Sequence, residues 1–127
     1  MPRLVMDNKV VVICKDLFFT SRIGETAKLV GTSVEFARQP GELAGKLIGS
    51  TPRLVIVDLT TQGWDYAGIF ATLDNQQTRP PVLGFTTHAL AKATQPWHSR
   101  CDRVVTKETF TQELPDILRE GVSVNPA

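Results

Sequence analysis

Five short apolar runs divide the sequence and predict five β-strands, at 10–14, 33–37, 54–57, 82–85 and 104–105. Most of the runs are continuous and rich in β-branched residues, a pattern typical of parallel strands that are covered on both faces. The run at 33–37 alternates apolar and polar residues, which indicates a half-exposed strand. The chain is therefore expected to contain a largely buried parallel sheet.

Apolar residues at helical spacing lie between and after these runs. Gly31 is placed to end the first helix, Pro40 to begin the second and Pro96 to end or kink the fourth. Pro115 is expected in the first turn of the last helix. The stripes are Ile23, Ala27, Val30; Leu43, Leu47, Ile48; Ile69, Phe70, Leu73; Leu90, Ala93, Trp97; and Phe110, Leu114, Ile117, Leu118. Strands alternating with short helices predict right-handed βαβ units, hence a doubly wound α/β fold with helices on both faces.

Length and composition indicate one globular domain. The 127 residues are enough for one core, which we place at about 9–120, with 121–127 as a C-terminal tail. A formal charge of +1 supplies no global field for nucleic acid or an anionic membrane. No window approaches a membrane span, no signal peptide is apparent, and two cysteines are too few for a disulfide framework. These features predict a cytoplasmic protein without nucleic-acid or membrane partners.

Charged and hydroxyl side chains follow the predicted strands directly. Lys15 and Asp16 come after the first strand, Asp58 after the third, Thr86 after the fourth and Lys107 after the fifth. In open parallel sheets, ligands bind beyond the carboxyl ends of the strands, near the point where the strand order reverses. The sequence therefore predicts a polar site at this edge of the sheet.

This ordered set of residues resembles the receiver (CheY-like) domains of two-component response regulators, over roughly 9–119. The resemblance implies a flavodoxin-like five-stranded parallel sheet in the order 2-1-3-4-5. It implies that Asp58 is the phosphoacceptor, that Asp16 and Asp58 bind Mg²⁺, and that Thr86 and Lys107 complete the site. It also implies a signalling partner, either a histidine kinase or an output protein, and it is compatible with a homodimer.

Three positions depart from the family pattern. The family has two adjacent acids after the first strand, whereas this chain has Lys15 and Asp16, and the Lys15 ammonium would oppose a metal ion. Lys107 stands one residue later than the family lysine, an offset that can turn a side chain to the other face of a strand. Arg103 and Val104 occupy the region where receivers often carry an aromatic residue.

Three functions remain open on these grounds. The first is a receiver-like module that acts through protein–protein interaction, with weak or absent phosphorylation. The second is a functional receiver, phosphorylated on Asp58 with Mg²⁺ held by Asp16. The third is a small-ligand binding module that uses the same sheet edge. Because the chain has neither a Gly-rich nucleotide loop after the first strand nor a nucleophile elbow, it is not expected to be an enzyme.

Other conspicuous residues are expected to be structural. Cys14 is interpreted as a small buried hydrophobe, and Trp64 and Trp97 as packing residues. His88 and His98 lack the spacing of a metal pair and are expected at the surface. The pair at 18–19 cannot place both phenylalanine rings in one core on a regular helix. One ring is then either exposed, which suits a partner contact, or, as the favoured interpretation, looped in as a hydrophobic plug.

Overall fold

A computed structural model describes residues 6–122, and its centre is a five-stranded parallel sheet in the order β2-β1-β3-β4-β5. The predicted strand order is confirmed. The strands are β1 (Met6–Ile13), β2 (Ser33–Ala37), β3 (Thr51–Asp58), β4 (Val82–Thr86) and β5 (Arg103–Thr106). β1 and β3 extend further toward the N-terminus than their apolar runs, because backbone pairing continues between Met6–Asp7 and Thr51–Pro52.

Five helices connect and follow the strands. They are α1 (Leu17–Val30), α2 (Leu43–Lys46), α3 (Tyr66–Asp74), α4 (Ala91–Thr94) and α5 (Lys107–Glu120). Two 3₁₀ turns, Pro40–Glu42 and Gln95–Arg100, lie beside the two shortest helices. α1 ends as expected at Gly31, which has a φ of 73° and donates its backbone N–H to Ala27 and Lys28. A left-handed residue at this point favours glycine, so the sequence marks the helix end correctly.

Alternate residues of the central strands face two separate hydrophobic layers. Val10, Val12, Leu54 and Ile56 pack on one side against α1 and α5. On the other side the strands pack against α2 and α3, through Val11, Ile13, Val55, Val57, Leu43, Leu47, Ile69, Phe70 and Leu73. This burial on both faces explains why the sequences of these strands are continuous apolar runs. It also confirms helices on both faces of the sheet.

The expected position of Pro115 is wrong. α5 begins at Lys107, because the Thr106 hydroxyl accepts the backbone N–H of Thr109 and caps the helix. Pro115 therefore lies in the interior of α5 instead of its first turn. The helix tolerates the missing N–H because its buried face is continuous, with Phe110, Leu114, Ile117 and Leu118 in the core.

Within residues 6–122 no helix is long and apolar enough to cross a membrane. The predicted tail at 121–127 falls largely outside the described residues, which end at residue 122.

Candidate functional site

The register of β1 and β3 places a cysteine beside the candidate phosphoacceptor. Ile13 pairs with Val57, so the next residues, Cys14 and Asp58, lie side by side at the carboxyl edge of the sheet. The Cys14 thiol donates to Asp58 Oδ2 over 3.7 Å. The strand neighbour of this carboxylate is therefore a sulfur and not a second acid.

Asp58 is held by neutral donors from its own loop as well. It is only 4% exposed. Its Oδ1 accepts the backbone N–H of Thr60 at 2.8 Å and the Thr60 hydroxyl at 2.6 Å. The Tyr66 hydroxyl donates to the Asp58 backbone oxygen at 2.7 Å and accepts the Thr61 backbone N–H at 3.0 Å. Both carboxylate oxygens thus have protein donors, and the loop after β3 is fixed around them.

An open cleft of about 510 Å³ lies over this strand edge. It brings together four of the predicted site residues, Lys15, Asp16, Asp58 and Lys107, and is completed by Thr60, Thr61 and Gln62. Lys107, the first residue of α5, reaches this cleft despite its one-residue offset, and its Nζ lies 4.8 Å from the centre of the Phe19 ring. The convergence expected from strand topology is therefore present.

Asp16 and Lys15 have different environments within the cleft. Asp16 is the N-cap of α1, and its Oδ1 accepts the backbone N–H of Phe19 at 3.1 Å. Lys15 is exposed, and none of the ion pairs within 4 Å among residues 6–122 includes Lys15 or Lys107. Lys15 therefore forms no ion pair with Asp16 or Asp58 in this structure, although all three line the cleft.

Thr86 belongs to a hydrogen-bonded chain on the α4 side and is not among the side chains that line the cleft. Its hydroxyl lies 2.9 Å from the Thr94 hydroxyl, which in turn lies 2.9 Å from His98 Nε2. His98 is half-buried, which corrects its expected surface position, whereas His88 is exposed. The physical reason is that the 3₁₀ turn Gln95–Arg100 folds His98 back over Thr94.

Burial is the main cause of the raised pKa values of Cys14 and Tyr66, the two neutral groups next to Asp58. It raises the pKa of the Cys14 thiol to about 12, and the nearby Asp58 charge acts in the same direction. Burial likewise raises the pKa of Tyr66 to about 12. Both groups therefore stay protonated at neutral pH and remain hydrogen-bond donors to Asp58.

This donor set fits a magnesium ion poorly. Mg²⁺ prefers oxygen ligands in octahedral geometry, usually one or two carboxylates with waters. Asp16 and Asp58 are the carboxylates in the cleft, but a protonated thiol and an ammonium group stand beside them. Among residues 6–122 no group of three or more His, Cys, Asp and Glu side chains is arranged to hold a metal.

Sequence reasoning missed Cys14 and Tyr66 as neighbours of Asp58. Cys14 ends an apolar run, so composition alone indicates a packing residue, and only the parallel register places it level with Asp58. Of the two adjacent phenylalanines, Phe19 is buried but Phe18 is 80% exposed, so the favoured interpretation of a looped-in plug is wrong for Phe18. Trp64 and Trp97 are half-buried and pack against the core, in agreement with their interpretation as packing residues.

Comparison of the structure with solved structures identifies the fold. The chemotaxis response regulator CheY4 of Vibrio cholerae aligns with a TM-score of 0.72 at 17% identity, covering 93% of this chain and 100% of that chain. The response regulator receiver domain of Bermanella marisrubri aligns with a TM-score of 0.75 at 21% identity, with coverages of 93% and 100%. The phosphorylated cyanobacterial phytochrome response regulator RcpA aligns with a TM-score of 0.65 at 18% identity, with coverages of 94% and 98%.

No family model matches the chain, and no curated protein matches it in sequence. At these identities the structural likeness establishes the fold alone. The chain has the CheY-like, flavodoxin-like fold of response-regulator receiver domains, as the resemblance implied.

Proposed function

We propose that the chain is a receiver-like signalling module of a two-component-type system, which acts through protein–protein interaction with weak or absent phosphorylation. The observation that carries the proposal is the environment of Asp58. This aspartate stands where receivers accept a phosphoryl group, at the end of the third strand. Both of its carboxylate oxygens have neutral protein donors, and its β1 neighbour is a protonated thiol.

Phosphoryl transfer to a carboxylate needs a cation to neutralise the charge on the transferring oxygens. A receiver uses a divalent metal for this purpose, held by acids. Here Asp16 caps α1 through one oxygen, and Lys15 adds positive charge at the position where a metal would be attracted. The cleft therefore favours a fixed state over a metal-dependent switch.

Exposed apolar side chains at the rim of the cleft support the interaction role. Leu17 is 62% exposed and Phe18 is 80% exposed, directly after Lys15 and Asp16. Aromatic residues are enriched at the centres of protein interfaces, where they bury a large area at low entropic cost. The signalling partner, a histidine kinase or an output protein, would contact this start of α1.

The phosphorylation part of the proposal is tested with acetyl phosphate as a small-molecule donor, in the presence of Mg²⁺. The wild-type chain is expected to incorporate little or no phosphoryl group on Asp58. Asp58→Asn supplies the background. Rapid stoichiometric labelling that disappears in Asp58→Asn would instead establish the second function, a working receiver with Mg²⁺ held by Asp16 and Asp58.

The interaction part is tested by introducing a photo-crosslinking amino acid at position 18 in cells of the native host. We expect a discrete crosslinked product at position 18. The matched control is position 48, because Ile48 is 78% exposed but follows α2 on the opposite face of the sheet. Equal products from both positions, or none from position 18, would contradict a partner surface at the start of α1.

A further inference from the structure

A second cavity, about 280 Å³ in volume, lies beside the cleft, between the loop after β3 and α4. We call it the aromatic cavity; its walls include Trp64, Tyr66, Leu90, Thr94 and Trp97. Thr60, Thr61 and Gln62 line both the aromatic cavity and the cleft over Asp58. The two spaces are therefore neighbours that share one segment of chain.

The aromatic walls are fixed by contacts with one another and with groups outside the cavity. Trp97 stacks on Phe70, with ring centres 6.0 Å apart and an interplanar angle of 17°. Tyr66 lies between the two indoles, 6.2 Å from Trp64 and 5.9 Å from Trp97. The Tyr66 hydroxyl is held by Asp58 and Thr61. Because these rings are held by one another, by Phe70 and by the hydrogen bonds of the Tyr66 hydroxyl, the aromatic wall is in place without an occupant.

The chemistry of the lining limits what the aromatic cavity can bind. No charged side chain lines it, among the residues that the structure describes. Within the same part of the chain, neither indole N–H donates a hydrogen bond to protein and neither is buried, so both are free to donate to an occupant. An occupant should therefore be neutral, present a flat apolar face to the rings, and carry an acceptor for an N–H donor.

Size sets a further limit. Pockets for drug-sized ligands span about 300–1,000 Å³, and this cavity lies just below that range. We propose that the aromatic cavity is a binding site for a neutral, planar heteroaromatic molecule of one or two fused rings with a carbonyl or ring-nitrogen acceptor. This site is separate from the cleft over Asp58 and does not depend on the proposed signalling function.

The test uses isoquinolin-1(2H)-one, a neutral two-ring compound with one carbonyl acceptor. The chain has two tryptophans, so ¹H–¹⁵N correlation spectra of the uniformly ¹⁵N-labelled protein report both cavity indoles directly. Titration is expected to shift both indole N–H resonances saturably. Quinoline-2-carboxylate has the same two-ring shape but carries a negative charge, and it should bind at least tenfold more weakly. No saturable shift with the neutral probe, or equal affinity for the charged one, would overturn the proposal.

A blocking variant and a matched control locate the binding. Ala93 lines the cavity from the exposed face of α4, so Ala93→Phe should fill the space without disturbing the core and abolish the shifts. Ala71→Phe adds the same ring at an exposed position of α3 that does not line the cavity, and should bind as the wild type does. Binding unchanged in Ala93→Phe would overturn the assignment. Indole shifts that follow protein concentration alone would also overturn it, since a second copy of the chain would then be the occupant.

Discussion

Asp58 is a buried carboxylate stabilised by neutral groups. Its donors are one backbone N–H, one hydroxyl and one thiol. Hydrogen bonds to the charged form of a buried carboxylate offset the cost of removing it from water. The Cys14 thiol can serve in this way only while it is protonated, and its burial ensures that it is.

Both cysteines are expected to be unreactive in the native protein. Burial raises the pKa of Cys14 and of Cys101 to about 12, and the thiolate is the nucleophile. At pH 8 a chromogenic disulfide reagent should therefore titrate neither thiol until guanidinium unfolds the chain, when both should react. Rapid reaction of either thiol in the folded protein would contradict this expectation, and Cys14→Ala and Cys101→Ala variants would identify which one reacts.

The raised pKa values of Cys14 and Cys101 predict that the protein loses stability in alkaline solution. A thiol whose pKa is raised by folding contributes stability that is fully present below its unfolded pKa of about 8.5 and is lost as the pH rises toward 12. The free energy of unfolding, measured by denaturant titration, should fall from about pH 8.5 upward. Cys14→Ala should be less stable at pH 7 but should show a shallower decline. An equally steep decline in both proteins would exclude Cys14 as a cause.

The Lys15 ammonium is expected to supply the positive charge of the cleft in place of a metal ion. Lys15→Asp would place a third acid beside Asp16 and Asp58, so the metal-free variant should melt at a lower temperature than the wild type. Mg²⁺ should restore its stability, by about 2.7 kcal/mol at 100 times the dissociation constant, because the ion binds the native state. The measurement is thermal melting across a Mg²⁺ series at constant ionic strength. Lys92→Asp, at an exposed position of α4, is the matched control. An equal response of the wild type would show that Lys15 does not oppose the metal.

Helix α5 is capped at its N-terminus but lacks a backbone hydrogen bond in its interior. Thr106 caps it, and four large apolar side chains anchor one face in the core. Pro115 removes one backbone donor inside the helix and so leaves the carbonyl of Thr111 without its intrahelical partner. The helix is consequently held more by packing than by its own backbone bonds.

Pro115→Ala is expected to stabilise the protein by about 1–2 kcal/mol, less than the ~3 kcal/mol that proline costs in a model helix, because alanine also leaves the unfolded chain freer. Equilibrium unfolding in urea measures the change. Pro40→Ala is the control, since Pro40 lies in the first turn of its 3₁₀ segment, where no helical donor is needed. A destabilised Pro115→Ala would show that packing of the proline ring matters more than the missing hydrogen bond.

Ion pairs join distant parts of the molecule at the end of the sheet opposite the cleft. Arg79 pairs with Asp74 at 2.8 Å and with Asp102 at 3.2 Å, and Arg100 pairs with Asp74 at 2.7 Å. Asp102 also accepts the backbone N–H of Val82 at 2.7 Å. The network therefore links the end of α3, the start of β4 and the segment before β5.

This network predicts a loss of stability in acid. Burial opposes the charge of Asp74, but hydrogen bonds from Arg79 and Arg100 outweigh it and lower the pKa of this carboxyl. A lowered pKa gives stability that is present above the unfolded value of about 4 and is lost as the pH falls through the folded value. Asp74→Asn should lower the melting temperature at pH 7. The corresponding loss in the free energy of unfolding is up to about 1 kcal/mol, because the pair is partly exposed. At pH 2 the substitution should change the melting temperature little. Asp116→Asn, which removes a local exposed pair within α5, is the control and should have a smaller effect at pH 7.

The architecture could be predicted because a strand that is buried on both faces requires a continuous apolar run in the sequence. Continuous runs such as 54–57 mark central strands, and Gly31 marks a helix end. The start of β1 could not be predicted, since residues 7–9 are polar and no apolar run marks the backbone pairing of Met6 and Asp7 with β3. The interior position of Pro115 was missed because a cap at Thr106 outweighed the usual rule for proline.

The candidate site also has a part that could be predicted from the sequence and a part that could not. Strand topology alone predicts that Lys15, Asp16, Asp58 and Lys107 approach one another, and they line one cleft. The thiol contact to Asp58 depends on a register that no local pattern specifies. The chain from Thr86 through Thr94 to His98 depends on how a short 3₁₀ turn folds back, which is a tertiary effect.

The thiol beside Asp58 also sets the order in which substitutions could convert this cleft into a metal-dependent one. Cys14 is fully buried, so Cys14→Asp as a first step would place an unpaired charge in the core next to another carboxylate. Lys15→Asp as a first step changes an exposed position, which a folded protein survives. Once a cation is held there, an acid at position 14 would have a counterion. Substitution at position 15 before position 14 is therefore expected to keep the protein stable at each step, whereas the reverse order passes through a more strongly destabilised protein.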